Sequence, residues 1–234
     1  MLGQDREDLD ELKGRQSQRG SGRHTLCCAC NSKTGNWYVP YYLEWIWYAV
    51  RVLSLTGGRQ SSLHLPFRIF PLRVLKQIVS MFLASTDIAF RDAREDLVRF
   101  VLDRERKGMD PEICIYAFLN PSPRARSTGI ATIGTFGDGG ASAKVVNEIA
   151  LRPVGYLMTL GSASPDERLV DITFFAKYSH NDWKEFWLTL PVLPVYAPFP
   201  ADYRTRDEVL EAGRRGREYM RRKAATRGDE TEHA

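Results

Sequence analysis

Three of the four cysteines stand within four positions, Cys27-Cys28-Ala29-Cys30, and the fourth, Cys114, is isolated. Adjacent thiols cannot pair with each other without severe strain, and this distribution is not a disulfide framework. Cys27-x-x-Cys30 instead sets two thiolates where one turn of chain can aim both at a single ion. Zn²⁺, with sulfur ligands at about 2.3 Å, suits that geometry. Two thiolates are half of a structural site. His24 lies three residues before Cys27, so His24-x-x-Cys27-x-x-Cys30 is a three-ligand string, whose fourth member would come from Cys114, solvent or a second chain. The alternatives are an exposed loop histidine at position 24 and cysteines that serve as loop or core thiols with no metal.

The surrounding string, Arg23-His24-Thr25-Leu26-Cys27-Cys28-Ala29-Cys30-Asn31-Ser32-Lys33-Thr34-Gly35-Asn36-Trp37-Tyr38-Val39, resembles the C-terminal arm of HNH-type nucleases. In that family a Leu-Cys-x-x-Cys-Asn knuckle starts the helix of the ββα-metal fold. The segment that follows, with Tyr41, Trp45 and the stretch from Phe70 to Lys76, is similar to an uncharacterised bacterial or phage branch of the same group. The resemblance implies that Cys27 and Cys30 are the second zinc pair and that Asn31 orients the active-site loop. It also implies a first Cys-x-x-Cys pair and a water-activating histidine upstream, yet residues 1–22 contain no Cys and no His. A hydrolytic nuclease needs a base for water and a divalent ion on the scissile phosphate, and no residue here is a candidate for either role. The expectation is therefore a truncated or degenerate HNH-like zinc-binding protein that is not catalytic in this form. It would be an HNH endonuclease only if the true start lies upstream of Met1 and carries the missing half. Its partner would be nucleic acid, DNA by resemblance, met through the basic flank of the knuckle: Arg19, Arg23 and Lys33. The competing expectation is a non-enzymatic protein-interaction module, with no metal, whose β-rich half binds a protein partner. A hydrolase with its site in the sheet region ranks last.

Other residues that could do chemistry have plainer readings. His180-Asn181-Asp182-Trp183 reads as loop chemistry, and His64, between Leu63 and Leu65, as a structural histidine. No Gly-x-Ser-x-Gly elbow is present. Gly137-Asp138-Gly139-Gly140 lacks the Lys-Ser/Thr ending of a phosphate-binding loop and reads as a hairpin turn. Tyr41, Tyr42, Trp45, Trp47 and Tyr48 interleave with Leu43, Ile46 and Val50, which points to helix packing and not to base stacking.

A formal charge of +4 is too weak a bias to imply nucleic acid by itself, and 43% hydrophobic residues are enough to build a core. The first residues contain no apolar signal region, so the expected compartment is the cytoplasm, where thiols stay reduced. The longest apolar run, 37–55, is interrupted by Pro40, Glu44 and Arg51, and charges near its centre argue against a membrane span. Glu44 and Arg51 instead make a polar stripe on a packed helix.

The elements that must position these residues follow from pattern. Residues 1–22 have almost no large apolar side chains and read as a flexible arm, the alternative being a short helix anchored by Leu9 and Leu12. Three helical patterns come next: one opened by Pro40 and ended by Gly57-Gly58, one over 72–84, and one capped by Asp87 or Asp92 and stopped at Gly108. Strand-like runs then cover 112–118, 129–136, 144–151, 154–160, 169–176 and 186–192, separated by turn residues. Four prolines between Pro191 and Pro200 make an extended connector, and Thr205-Arg206-Asp207-Glu208 caps a charged final helix that reads as a solvated tail. The expected fold is α+β: an N-terminal knuckle and a three-helix group (23–110), an antiparallel sheet of five or six strands (111–204), and a charged helix and tail (205–234).

Overall fold

The computed structural model describes residues 27–137 and 140–231. Its elements run α1 (Cys28–Thr56), β1 (Ser62–Ile69), α2 (Pro71–Ser85), α3 (Ile88–Ala93), α4 (Glu95–Leu102), β2 (Ile113–Leu119), β3 (Arg126–Gly137), β4 (Gly140–Ala150), β5 (Val154–Leu160), β6 (Val170–Asp171), β7 (Lys184–Pro191) and α5 (Arg206–Thr231). The fold is α+β, with a five-stranded antiparallel sheet in the order β3-β4-β5-β2-β6 and a separate antiparallel pair, β1-β7. The expected turn at 138–139 lies outside the described residues; Gly137 pairs with Gly140 on either side of it.

Side chains alternate across the five-stranded sheet because successive residues of a strand point to opposite faces. Ile115, Ala117, Ile149, Tyr156 and Met158 join the core shared with the helices, and Tyr116, Phe118, Val146 and Leu157 form a second core on the other face. The second core is roofed by the proline-rich connector, through Leu193, Val195 and Tyr203. A buried ion pair fastens that roof. Arg126 donates to both carboxylate oxygens of Glu148 at 2.8 Å and to the carbonyls of Ala197 and Asp202, while Glu148 accepts the Ala201 N–H.

Several elements depart from the pattern reading. The helix expected to open at Pro40 begins twelve residues earlier, at Cys28, and carries Pro40 inside it. Pro40 removes the bond to the Asn36 carbonyl, but both residues are exposed, so water can take up the freed group. The stretch 62–69, not expected as a strand, alternates Leu63, Leu65, Phe67 and Ile69 with more exposed neighbours and pairs along its full length with β7. β7 therefore leaves the large sheet. Pro66 is tolerated because a two-stranded sheet consists of edges only. The third helix is divided at Arg94 into α3, capped by the Asp87 carboxylate, and α4. Of the run 169–176 only Val170–Asp171 pairs, after which the chain turns into a 3-10 helix over Thr173–Lys177.

No helix among the described residues is long and apolar enough to cross a membrane. The exposed side of α1 carries Glu44 and Arg51 as expected, with Trp47 between them.

Candidate functional site

The chemistry-bearing cysteines sit at the start of α1. Cys27 is the N-cap, with extended backbone (φ −66°, ψ 154°), and its carbonyl accepts the Asn31 N–H at 2.9 Å. Its Sγ accepts the Cys30 N–H at 3.2 Å. Sulfur here does what a serine or aspartate oxygen does at most helix starts, which is to satisfy one of the four N–H groups that have no partner in the helix. Cys30 lies one turn further on and is half-buried, whereas Cys27 and Cys28 are exposed.

The helix explains this placement. Thr34, Tyr38, Trp45, Ala49 and Leu53 form the buried stripe of α1 at helical spacing, and Cys30 continues that stripe by one turn toward the N-terminus. Thr34 locks the turn by donating to the Cys30 carbonyl at 3.0 Å. Cys28, one residue after the cap, falls off the stripe. A spacing of three is therefore what brings two thiols together, and the third cysteine is left outside the pair.

The two side chains influence each other's ionisation. The hydrogen bond from the Cys30 side chain, then the Cys30 and Ala29 N–H groups and the Lys33 charge, hold the Cys27 thiol below its ordinary value. The same side-chain bond, followed by partial burial and the charge of Cys27, pushes the Cys30 thiol up. Of the two, Cys27 is thus the thiol more ready to lose its proton.

Beside the pair, α1 meets α2, α3 and α4 in a cleft of about 510 Å³. Leu83, Val101 and Leu102 line it along with Cys27 and Cys30, and Asp92 and Glu95 border it. Among the described residues no group of three or more His, Cys, Asp or Glu is placed to hold a metal ion. Cys114 lies on β2, packed with the second core, on the sheet face away from α1. That position removes it from the ligands the spacing allowed. Asn31 and Lys33 are both exposed on the first turns of α1. His24, Arg19 and Arg23 lie outside the described residues.

His180 and His64 take structural roles. His180 is buried, sits edge-on to the Tyr38 ring, and its carbonyl accepts from Arg73 Nε at 2.7 Å. Burial, and after it the Arg73 charge, lowers its pKa. His64 stacks on Trp187 and is bonded to the Thr189 hydroxyl at 2.8 Å. Of the aromatic group on α1, Trp45 is fully buried and Trp47 is 64% exposed.

Three buried charges escaped the pattern reading. Lys76 is fully buried, donates to the Asp103 carbonyl at 2.5 Å and lies 4.8 Å from the centre of the Phe100 ring. Its signal was present, since position 76 falls four residues after Leu72 on the apolar side of α2. Arg126 and Glu148, 22 residues apart, carried no such signal.

No family model, no curated protein and no solved structure matches this chain.

Proposed function

We propose that Cys27 and Cys30 form a two-thiolate zinc site in an HNH-like protein that associates with DNA and does not hydrolyse it. The single observation that carries this reading is the Cys30 N–H directed at Cys27 Sγ, with both sulfurs at one end of α1. The donor set fits the metal: thiolates are preferred zinc ligands, and N–H bonds to the sulfur stabilise the charged form. The helix begins at Cys28, inside the Cys27–Asn31 knuckle that, by the HNH-type resemblance, starts the helix of the ββα-metal fold. These two sulfurs would hold the ion, with His24, three residues upstream in the sequence, as a third ligand and solvent or a second chain completing the set.

When bound, zinc would supply a structural cross-link that fixes the chain preceding α1 against the helix. Lys33, with Arg19 and Arg23 before it, gives this end of the molecule its basic flank for phosphate contacts. A cytoplasmic setting, in which thiols stay reduced, keeps the pair available.

Elemental analysis of the purified chain tests the site. The expected result is about one zinc per chain, or per two chains if a second copy completes the tetrahedron, reduced to background in Cys27→Ser and Cys30→Ser and retained in Cys114→Ser. A metal-free protein, or zinc equally retained after both substitutions, overturns the reading.

A second reading, a protein-interaction module without metal, is favoured by the exposure of Trp47, Trp183 and Trp187, which are 64%, 53% and 59% accessible. Absence of zinc together with a stable protein complex, lost when Trp47 and Trp187 are changed to Ser, would support it.

A further inference from the structure

We propose that the basic half of α5 is an arm that grips the phosphate backbone of duplex nucleic acid; this rests on the association with nucleic acid proposed above and assigns it to a second, separate surface.

The root of the arm is fixed. Tyr203 is buried in the second core, and two residues later Thr205 and Glu208 cap each other, Thr205 N–H donating to the Glu208 carboxylate at 2.6 Å and Glu208 N–H to the Thr205 hydroxyl at 3.3 Å. Beyond the root none of the described residues buries the helix: every side chain from Ala212 to Tyr219 is exposed, as is Arg221. A helix normally earns its place by burying an apolar stripe, and this stretch has none to bury. Gly213 and Gly216 weaken it further, by about 1 kcal/mol each relative to alanine. Neither glycine answers a packing need, since a Cβ at Gly216 would meet nothing and one at Gly213 only the end of the Arg217 side chain.

Charge is what the segment does carry. Between Arg214 and Lys223 stand six basic residues and one acid, an excess larger than the +4 of the entire chain, so the rest of the molecule is slightly acidic. A solvated helix face usually interleaves both signs so that they pair at i,i+4. Here Glu211 pairs with both Arg214 and Arg215. Arg217 and Arg221 have no ion-pair partner among the described residues. Five of the six cations are arginine, whose planar fork matches phosphate oxygens two at a time. The ten positions span about 14 Å of helix, a length over which duplex DNA presents about eight phosphate charges. A membrane surface fits less well, because a helix lying on lipid needs an apolar face as well as a basic one.

Phosphate contacts alone carry no sequence information, so binding should be indifferent to sequence and steep in salt. The test is fluorescence anisotropy of the full chain with labelled 20-base-pair duplexes of two unrelated sequences, between 50 and 200 mM NaCl. Expected are equal affinities for the two sequences and a loss on the order of 100-fold or more across that salt range, as for four to five phosphates neutralised. The variant carrying Arg217→Gln, Arg221→Gln, Arg222→Gln and Lys223→Gln should bind at least 10-fold more weakly at 50 mM with a much shallower salt dependence. Lysine at the same three arginine positions should preserve most of the affinity. If the glutamine variant binds as the unaltered chain does, while Lys33→Gln loses binding, the arm is overturned and the association through the α1 end stands. If the unaltered chain binds neither duplex at 50 mM, both are overturned. If the glutamine substitutions abolish binding to vesicles containing phosphatidylserine but leave duplex binding intact, the arm is a lipid contact and the proposal fails.

Discussion

The indole N–H of Trp45 donates to the hydroxyl of Tyr156 at 2.9 Å, which joins α1 to the sheet strand β5 through two side chains that are both fully buried. A donor that loses its acceptor in such a place cannot turn to water. Tyr156→Phe should therefore destabilise the protein by about 1 to 3 kcal/mol, the desolvation penalty of an orphaned N–H. Urea unfolding with an unchanged slope would register this as a lower midpoint. Adding Trp45→Phe to Tyr156→Phe should cost less than the two single changes summed, because the second substitution removes the orphan.

Arg126 and Glu148 give a second test, this time of what holds the proline-rich connector on the sheet. Both are buried, and each also bonds the connector backbone, at Ala197, Asp202 and Ala201. Arg126→Met leaves a carboxylate in the second core with little to balance it, so a loss of about 3 to 5 kcal/mol is expected. The double change Arg126→Met with Glu148→Met should be milder than Arg126→Met alone. Limited proteolysis should show new cleavage between residues 193 and 204 in the single variant, where its carbonyls have lost their donor.

Much of this architecture was legible from residue pattern, and the parts that were not share a cause. α2 announced itself through Leu72, Leu75, Val79 and Phe82, because burial on one face leaves a periodic trace, and β5 through the mostly apolar run Val154–Leu160, as a strand buried on both faces does. Cys30 illustrates the limit. Its motif was visible, but its membership in the α1 stripe through Thr34 and Tyr38 was hidden by the expectation that Pro40 opens the helix. The pairing of β1 with β7 joins segments more than a hundred residues apart, and nothing local in Leu63, Leu65 or Phe67 names Leu188 or Leu190 as partners. The Arg126–Glu148 pair was illegible for the same reason: its meaning depends on the register of β3 with β4.

Gly155 shows register at its sharpest. It pairs with Phe118 across β2 and β5, and a Cβ built on it would fall within 2.1 to 2.5 Å of the Phe118 ring. That ring is buried and packs against Tyr203 at 4.8 Å between centroids, so it has little room to retreat. Gly155→Ala should destabilise by about 1 to 3 kcal/mol, as overpacking does. Gly155→Ala combined with Phe118→Leu should recover part of the loss, and thermal unfolding of the three proteins distinguishes a clash from a purely conformational demand for glycine.

Lys76 offers a prediction in pH. Burial, opposed by the Asp103 and Glu105 charges, brings its pKa down to about 8 from an ordinary value of 10.5. Between those two values the unfolded chain holds the proton that the folded chain has released, so the unfolding free energy gains with rising pH. Below pH 8 the ammonium is charged in both states and the burden on the fold is complete; through the interval it is relieved. The tyrosines act in the opposite direction above pH 10, since burial raises Tyr42 to about 12 and Tyr156 well beyond its ordinary value, and their contribution is lost as the unfolded phenols ionise. The clean window is therefore pH 8 to 10. Across it the stability of the unaltered protein relative to Lys76→Met should rise by about 1 kcal/mol per pH unit, near the limit of 1.4 set by one proton. Urea unfolding of both proteins at pH 7, 8, 9 and 10 measures this directly. A difference that stays flat would mean that Lys76 titrates alike in the folded and unfolded chain, and the burial of its charge beneath the turn after α4 would then have no energetic consequence.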